Sequence, residues 1–466
     1  MVVMKFGGTS VTDQAAIERL AAIVARQRAN DAAAGEAAPG PVVVVSALSG
    51  VTDRLLGVAA EAGAGDAEGA RHNLRALRAR HVTVSEVVTD EALRAAVVAD
   101  IEAEFDELER IVEALGVLRE VSPRWLDTIA ATGEVVSSRI VAAALAARGL
   151  HGRWVDARRV IVTDGEHVAA APLFAETGAA LEATVRPLLA AGHVPVLGGF
   201  VGATKDGVTT TLGRGGSDFS GAIVGSCLHA AEIQIWTDVD GMLTADPRVV
   251  AHPQVVPHLS FAEASELAYF GAKVLHPATI QPAVTRDIPV RILNSRRAEA
   301  PGTLITAERP PGARGLAALA SKKHVTVVDI TSTRMLMAHG FLRRLFEVFE
   351  RFRTPVDVVT TSEVSVSVTV DDQRRLPAIV EALSEFAEVS CEPDMAIICA
   401  VGEGLKHEPQ LVARVFAALG DVPVRLLSQA AARRNITFVI PEADVPRALG
   451  RLHEHFFAPA GAGSAA

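Results

Sequence analysis

The first residues with an obvious chemical use lie in the opening stretch KFGGTS, residues 5–10. Lys5 follows an apolar run that predicts a buried strand, and Gly7 and Gly8 come just after it. Glycines at a strand end let backbone N–H groups approach an anion, and an ammonium complements a phosphate. A tight turn with a surface lysine explains the same residues. The stretch therefore predicts either a phosphate site or an ordinary turn.

A second stretch, TTTLGRGGSD at residues 209–218, places Arg214 among three glycines at the start of a predicted helix. A guanidinium fixed in this way can grip a carboxylate with two hydrogen bonds. The helix N-terminus adds partial positive charge. Ser217 or Asp218 as a simple helix cap is the alternative. The stretch favours recognition of a carboxylate.

Acids follow a predicted strand in WTDVDGMLTADPRVV, residues 236–250. Ligands bind at the carboxyl ends of strands in α/β sheets, so these residues are candidates for a ligand site, and Arg248 could meet a phosphate. An exposed acidic loop or a weak cation site is the alternative. The glutamate that closes a calcium loop is lacking.

Two further charges are ambiguous when taken singly. Glu134 interrupts the apolar helix ATGEVVSSRI, residues 131–140, where it either faces solvent or pairs with an ammonium. Lys273, in FGAKVLHPAT, would be an ordinary surface lysine if seen alone.

Composition narrows the class of protein. The net charge of −10 over 466 residues argues against general nucleic-acid binding. The three cysteines show no metal-ligand spacing and are expected to be core thiols of a reducing compartment. No signal peptide and no stretch apolar for long enough to span a bilayer is expected. The prediction is a soluble cytoplasmic protein with no membrane partner and no metal-binding cluster of its own.

Strand and helix segments alternate through the first ~300 residues, which predicts an α/β domain with a mostly parallel sheet between helices. A Pro/Gly-rich linker follows, and then two similar β-α-β-β units. The expected domains are an α/β domain at 1–300, a linker at 301–314, one small domain at 322–394, a second at 315–321 plus 395–457, and a disordered tail at 458–466.

The stretches KFGGTSV, TTTLGRGGSD, WTDVDGMLTADPRVV and ELAYFGAKVLHPAT together resemble the aspartate kinases of the amino acid kinase family. The double repeat is similar to their paired ACT domains. The resemblance implies an amino acid kinase fold followed by two ferredoxin-like βαββαβ ACT domains. It implies transfer of the γ-phosphoryl of ATP, with Mg²⁺, to the side-chain carboxylate of L-aspartate, the first step of lysine, threonine and methionine biosynthesis. MLMAHGFLRRLF and VDVVTTSEVSVSVTV look most like the monofunctional, lysine-inhibited type.

The resemblance also implies residue roles. Lys5, Gly7 and Gly8 would contact the transferring phosphoryl, and Asp218 would hold Lys5. The aspartate-binding residues would be Ser46, Thr52, Glu134, Arg214 and Ser217. The nucleotide-binding residues would be Thr237, Asp238, Leu243, Asp246, Arg248 and Lys273.

In the regulatory half, Asp357 would pair with the ammonium of an effector, which the resemblance implies is L-lysine. The surrounding residues would be Met335, Phe341, Leu342, Val356, Ser362 and Glu363, with the alternative that the four apolar ones belong to the core. Pairing of ACT domains implies a homodimer, with a tetramer left open. Two other functions compete: a kinase for glutamate or N-acetylglutamate, and a catalytically dead amino-acid sensor.

Overall fold

The computed structural model describes residues 1–33, 40–213, 215–271, 275–310, 315–335, 339–405, 408, 410–429 and 434–458. The chain divides into two compact units. The first contains residues 1–242 and 275–307, and the second contains residues 243–274 and 308–466.

The first unit is built on a mostly parallel sheet. Its strands are β1 Val2–Phe6, β2 Val42–Val45, β3 Gly152–Val155, β4 Val194–Gly198, β5 Val201–Ala203, β6 Thr209–Thr211, β7 Glu232–Thr237, β9 Val290–Asn294 and β10 Thr303–Thr306. Seven strands of the main sheet follow the order β3-β4-β2-β1-β7-β9-β10, and of the six described pairs between these seven strands only β9–β10 is antiparallel. Strands β5 and β6 form a separate hairpin. The predicted α/β class is confirmed.

The helices of the first unit are α1 Gln14–Ala33, α2 Val51–Gly63, α3 Ala67–Ser85, α4 Glu91–Leu118, α5 Pro123–Ala147, α6 Phe174–Ala190, α7 Gly216–Cys227 and α9 Gln281–Thr285. They pack on the sheet around a continuous apolar core that includes β1, β2 and the buried faces of α1 to α5. Helix α5 is long and apolar enough to cross a membrane, contrary to the expectation from the sequence. Its most apolar window is 83% buried inside the protein, so packing in the core explains its composition.

The second unit is built on one antiparallel sheet. The strands of that sheet are β11 Gly315–Thr331, β12 Val359–Thr361, β13 Ser365–Val370, β14 Glu388–Glu403, β15 Leu426–Ser428 and β16 Asn435–Pro441, and the unit also contains the short strand β8 His258–Ser260, which lies outside this sheet, so seven of the described strands belong to the unit. Six of them follow the order β12-β13-β11-β14-β16-β15. Its helices are α8 Phe261–Tyr269, α10 Phe341–Arg351, α11 Leu376–Ser384, α12 Leu411–Leu419 and α13 Val445–Phe457.

The long strands β11 and β14 pass through both halves of this sheet, and each half has its own apolar core. One core contains residues of β13, α10 and α11, and the other contains residues of β16, α12 and α13. The β11–β14 register is irregular between Lys322 and Val327, where the two halves meet. Residues 315–322 pair with 397–403 of β14, beside β16. The predicted spare strand at 315–321 therefore lies next to the second repeat.

Two predicted boundaries differ from the structure. The expected linker at 301–314 contains strand β10, because its TLIT alternates between buried and half-buried positions despite the Pro/Gly-rich flanks. Residues 243–274, expected within the domain 1–300, group with the second unit. Ala245 and Val250 lie in its apolar core, and the Thr244 hydroxyl hydrogen-bonds with His453 Nε2 at 2.9 Å. The domain ranges as a whole stay a prediction.

Two further expectations concern the cysteines and the C-terminal tail. Of the three cysteines expected in the core, Cys391 is exposed. Apart from Ala458, the tail that was expected to be disordered lies outside the described residues.

Candidate functional site

A cavity of about 720 Å³ opens at the carboxyl ends of the parallel strands of the first unit. Its walls come from the segments after β1, β2, β4 and β7, from the start of α7 and from one face of α5. Eight residues predicted for the site line it: Gly7, Gly8, Ser46, Thr52, Glu134, Ser217, Thr237 and Asp238. The parallel register forces this convergence, since strands that run the same way end at the same edge.

Lys5 and Asp218 form the charged pair behind this cavity. Lys5 lies on the central strand β1, and its Nζ is 2.6 Å from Asp218 Oδ1 in the first turn of α7. No described group donates a hydrogen bond to that oxygen within normal geometry, so the ion pair is its only polar contact. The pairing predicted from the sequence is present. Because both groups are largely buried, their attraction is little screened by water.

Gly7 and Gly8, which follow β1, have different structural roles at the site. A Cβ added to Gly7 would lie 3.6 Å from Lys5 Nζ, so the ammonium sits just beneath this residue. The Gly7 N–H donates to the Trp236 carbonyl at 2.9 Å, which corrects the prediction that this amide is available to a phosphate. A Cβ at Gly8 would lie 3.2 Å from the Ala47 carbonyl, so glycine permits the close packing of the two strand ends.

Glu134 lies on the buried face of α5 and is 4% exposed. The interpretation that it faces solvent is therefore wrong. Burial raises the pKa of Glu134 to about 8, although the backbone N–H of Ala47 and the charge of Lys5 act to lower it. Its Oε2 has no hydrogen-bond partner among the described residues. A buried carboxylate oxygen without a partner is costly, and a bound cation would relieve that cost.

The start of α7 lies against β2 and β4. The Ser46 hydroxyl donates to Ser217 Oγ at 2.8 Å, which joins two of the predicted aspartate-binding residues. A Cβ at Gly199 would come within 2.7 Å of Ser217 Cβ, so only glycine lets α7 approach the sheet this closely. Thr52 is in the first turn of α2, on another wall of the cavity. Arg214, the predicted carboxylate grip, lies outside the described residues.

Asp127 was missed by the sequence reasoning. It precedes Glu134 by seven residues, and both line the cavity from the same face of α5. Its carboxylate accepts hydrogen bonds from Thr211 Oγ1 at 2.5 Å, from the Val168 N–H at 3.0 Å and from His167 Nδ1 at 2.6 Å. The only signal in the sequence was this seven-residue spacing of two acids in an apolar helix.

The predicted nucleotide residues fall in different parts of the chain. Thr237 and Asp238 line the cavity of the first unit. Leu243, Asp246 and Arg248 belong to the second unit, and Lys273 lies outside the described residues. Arg248 donates to Asp246 at 2.7 Å, and this hydrogen bond lowers the pKa of the Asp246 carboxyl.

A weak cation site is the alternative that the sequence of this acidic stretch offers. Among the described residues, no group of three or more His, Cys, Asp or Glu side chains is placed to hold a metal ion. Asp240 instead accepts hydrogen bonds from Asn294 and Arg297 of the first unit.

The predicted effector residues surround β12 and α10 in the second unit. Met335, Phe341 and Val356 pack against the apolar core of this half, whereas Leu342 is 41% exposed. Ser362 and Glu363 are exposed in the turn between β12 and β13. The core explanation therefore fits the first three residues but not Leu342.

Asp357 already has partners. Its Oδ1 accepts from the Tyr269 hydroxyl at 2.6 Å, and Lys322 Nζ lies 2.8 Å from its Oδ2. Lys322 also reaches Asp371 at 2.8 Å. Although burial acts to lower it, the hydrogen bonds to these two carboxylates raise the pKa of Lys322. The Lys322 ammonium therefore lies beside Asp357, where the sequence predicts the ammonium of an effector.

Two family models match the chain. The model of the amino acid kinase family matches residues 1–294, and an ACT domain model matches residues 398–456. Aspartokinase 1, chloroplastic, of Arabidopsis thaliana is 36% identical over 471 residues, which cover 98% of this chain and 80% of that protein. Lysine-sensitive aspartokinase 3 of Escherichia coli (strain K12) is 35% identical over 472 residues, which cover 98% of this chain and 99% of that protein.

Solved structures of E. coli aspartokinase III share the fold. The complex with aspartate and ADP, described as the R-state, superposes with a TM-score of 0.81 at 33% identity and covers 98% of this chain and 100% of that chain. The complex with lysine and aspartate, described as the T-state, has a TM-score of 0.80 at 33% identity over 98% of this chain and 99% of that chain. The matched family model, the nearly full-length relatives and the shared fold agree, and the chain belongs to the aspartokinases of the amino acid kinase family.

Proposed function

We propose that this protein transfers the γ-phosphoryl of Mg-ATP to the side-chain carboxylate of L-aspartate, giving 4-phospho-L-aspartate and ADP. The observation that carries the proposal is Glu134, whose buried Oε2 lacks a partner among the described residues. The same cavity is lined by Gly7, which lies over the Lys5 ammonium, and by Ser217, next to Asp218. A free α-ammonium would satisfy this oxygen and balance its charge, whereas an N-acylated amine has no charge with which to do so. The relative solved with aspartate and ADP has the same fold.

The chemistry needs no general base, because a carboxylate acceptor is already ionised at pH 7. The barrier comes from bringing two anions together, so positioning and electrostatic stabilisation must supply the catalysis. Lys5, held in place by Asp218, would lie against the transferring phosphoryl, with the Gly8 backbone beside it. Ser217 at the N-terminus of α7, together with Arg214, would bind the α-carboxylate. Thr237, Asp238, Leu243, Asp246, Arg248 and Lys273 would contact the nucleotide.

Mg²⁺ would enter with ATP, since the nucleotide phosphates supply most of its oxygen ligands in sites of this kind. Asp238 is the acid at the strand ends with the right chemistry to add a protein ligand. The bound ion would neutralise phosphate charge, as Lys5 does from the protein side.

Acceptor turnover tests this proposal. ADP release and trapping of the acyl phosphate with hydroxylamine are measured with L-aspartate, L-glutamate and N-acetyl-L-glutamate as acceptors. We expect turnover with aspartate and little with the other two. Absence of aspartate turnover would contradict the proposal, and turnover of glutamate or N-acetylglutamate alone would assign a different amino acid kinase.

We further propose feedback inhibition by L-lysine through Asp357 and its neighbours, with the enzyme catalysing the first step towards lysine, threonine and methionine. The lysine-sensitive relative supports this choice of effector. Inhibition by lysine, threonine and methionine is measured singly and in combination. A protein indifferent to lysine would contradict the effector assignment and leave the kinase assignment intact.

The same proposal includes a homodimer formed through the ACT domains. The six-stranded sheet of the second unit has β12 and β15 as its edge strands, and edge strands can pair with a second copy of the chain. Sedimentation over a dilution series distinguishes monomer, dimer and tetramer. A monomer at all concentrations, with lysine present, would contradict the dimer.

A further inference from the structure

Asp127 joins three segments of the cavity wall. It lies on α5, and its carboxylate accepts hydrogen bonds from Thr211 at the end of β6 and from His167 and Val168 in the segment 164–171. The side chain is only 1% exposed, so its charge is balanced by these donors rather than by water. Asp127, Val168 and Thr211 all line the cavity that contains Glu134.

Val168 has an unusual backbone. Its φ is 73°, a left-handed conformation that β-branched residues rarely adopt. Burial of its side chain does not explain this strain, because Val168 is 45% exposed. Its N–H instead donates to both oxygens of Asp127, at 3.0 and 3.1 Å. Strained residues persist only where their surroundings hold them, and they are concentrated at functional sites.

The strained segment in turn supports the glycine-rich turn that precedes α7. The Ala170 N–H donates to the Thr211 carbonyl at 2.9 Å. A Cβ at Gly213 would lie 3.1 Å from the Val168 carbonyl, so the two backbones are in close contact. Gly213 also lines the cavity, between β6 and the start of α7, where Ser217 lies.

We propose that Asp127 is a positioning residue for the amino-acid acceptor: it holds Val168 and Thr211 in place, and so fixes the cavity wall against which the acceptor binds. This inference rests on the proposed function. Asp127 would act through Val168 and Thr211 and would not itself contact the substrate. Loss of the Asp127 carboxylate should weaken acceptor binding, since small displacements of a binding wall have large effects on affinity. Nucleotide binding and the Lys5–Asp218 pair should be affected much less.

The main variant is Asp127→Asn. An amide cannot accept from all three donors, because its NH₂ group must face at least one of them. We expect the KM for aspartate to rise at least about tenfold, while kcat and the KM for ATP change by less than about threefold. The matched control is Asp206→Asn, in the exposed hairpin turn, which should leave all three constants unchanged.

A second variant separates positioning from general stability. Glycine adopts a φ near 73° without steric cost, so Val168→Gly removes the need for the carboxylate to hold this conformation. The double variant Asp127→Asn/Val168→Gly should therefore recover most of the lost acceptor affinity. A merely structural role would lower the melting temperature, kcat and both affinities together, and Val168→Gly would not restore them.

Three results would overturn the inference: an unchanged KM for aspartate in Asp127→Asn, a parallel loss of all constants, or no recovery in the double variant. If Asp127→Asn does not fold, Thr211→Val decides, since it removes one donor and leaves the charge. We then expect a rise of about three- to tenfold in the acceptor KM, and no rise overturns the inference. A wild type that does not turn over aspartate would instead contradict the proposed function, and the variants are then compared with the acceptor that it does turn over.

Discussion

Replacing Glu134 by glutamine tests whether this carboxylate binds the acceptor's ammonium. Burial raises the pKa of Glu134 to about 8, and its Oε2 has no hydrogen-bond partner among the described residues. Only about 1% of the side chain is then ionised at pH 6, and about half at pH 8. The ionised form is the one that binds an ammonium, so the apparent affinity for aspartate should increase as pH rises.

The size of the effect follows from the pKa. Between pH 6 and pH 8 the ionised fraction grows about 50-fold, so the KM for aspartate in the wild type should fall by about that factor. Glu134→Gln has no titrating group and should lose most of this dependence. At pH 8 it also loses a charge-assisted hydrogen bond worth about 1.5–3 kcal/mol, which corresponds to a KM about 10- to 150-fold higher.

The assay is coupled detection of ADP over pH 6–8 with aspartate varied at saturating ATP. Glu107→Gln, an exposed change on α4, is the matched control and should reproduce the wild-type profile. A wild-type KM for aspartate that does not vary with pH, or a Glu134→Gln variant with the same profile as the wild type, would refute the reasoning. The KM for ATP should stay nearly constant in all three proteins.

Three further predictions concern catalysis, regulation and stability. Lys5→Met should lower kcat by about 10²- to 10³-fold, because a preorganised cation at the phosphoryl is lost; initial rates that match the wild type would contradict this role. Asp357→Ala should raise the lysine concentration for half-inhibition at least about tenfold while kcat changes less than about twofold, and unchanged inhibition would place the effector elsewhere. Phe105→Ala should lower the free energy of unfolding in urea by about 3–5 kcal/mol, because this fully buried ring is packed beside His81 in the core. A loss below about 1 kcal/mol would show that the core readjusts around the smaller side chain.

Most of the scaffold could be predicted from the sequence. The apolar runs of β1 and β2 and the periodic helices between residues 51 and 118 have strong local signals, and the structure contains them at nearly the expected places. The convergence of Lys5, Ser46 and Thr237 also follows from local information, because each lies at or next to the carboxyl end of a parallel strand. The polar residues at these ends were therefore identifiable without the structure.

The remaining features depend on contacts between distant segments. Asp127 meets Val168 and Thr211, which are 41 and 84 residues away, and no local pattern encodes that meeting. Lys322 and Tyr269 reach Asp357 from 35 and 88 residues away. Whether the Gly7 N–H can bind a phosphate likewise depends on Trp236 of the neighbouring strand, because the Trp236 carbonyl accepts a hydrogen bond from it. Sequence patterns identified the chemistry of individual residues but not these pairings.

The most direct test of the central claim is a crystal structure with ADP, aluminium fluoride, Mg²⁺ and L-aspartate bound. Lys5 Nζ should lie within hydrogen-bonding distance of the fluoride group that mimics the phosphoryl, and the aspartate ammonium should contact the Glu134 carboxylate. A Lys5 ammonium that points away from the fluoride, in an active crystal, would contradict this prediction.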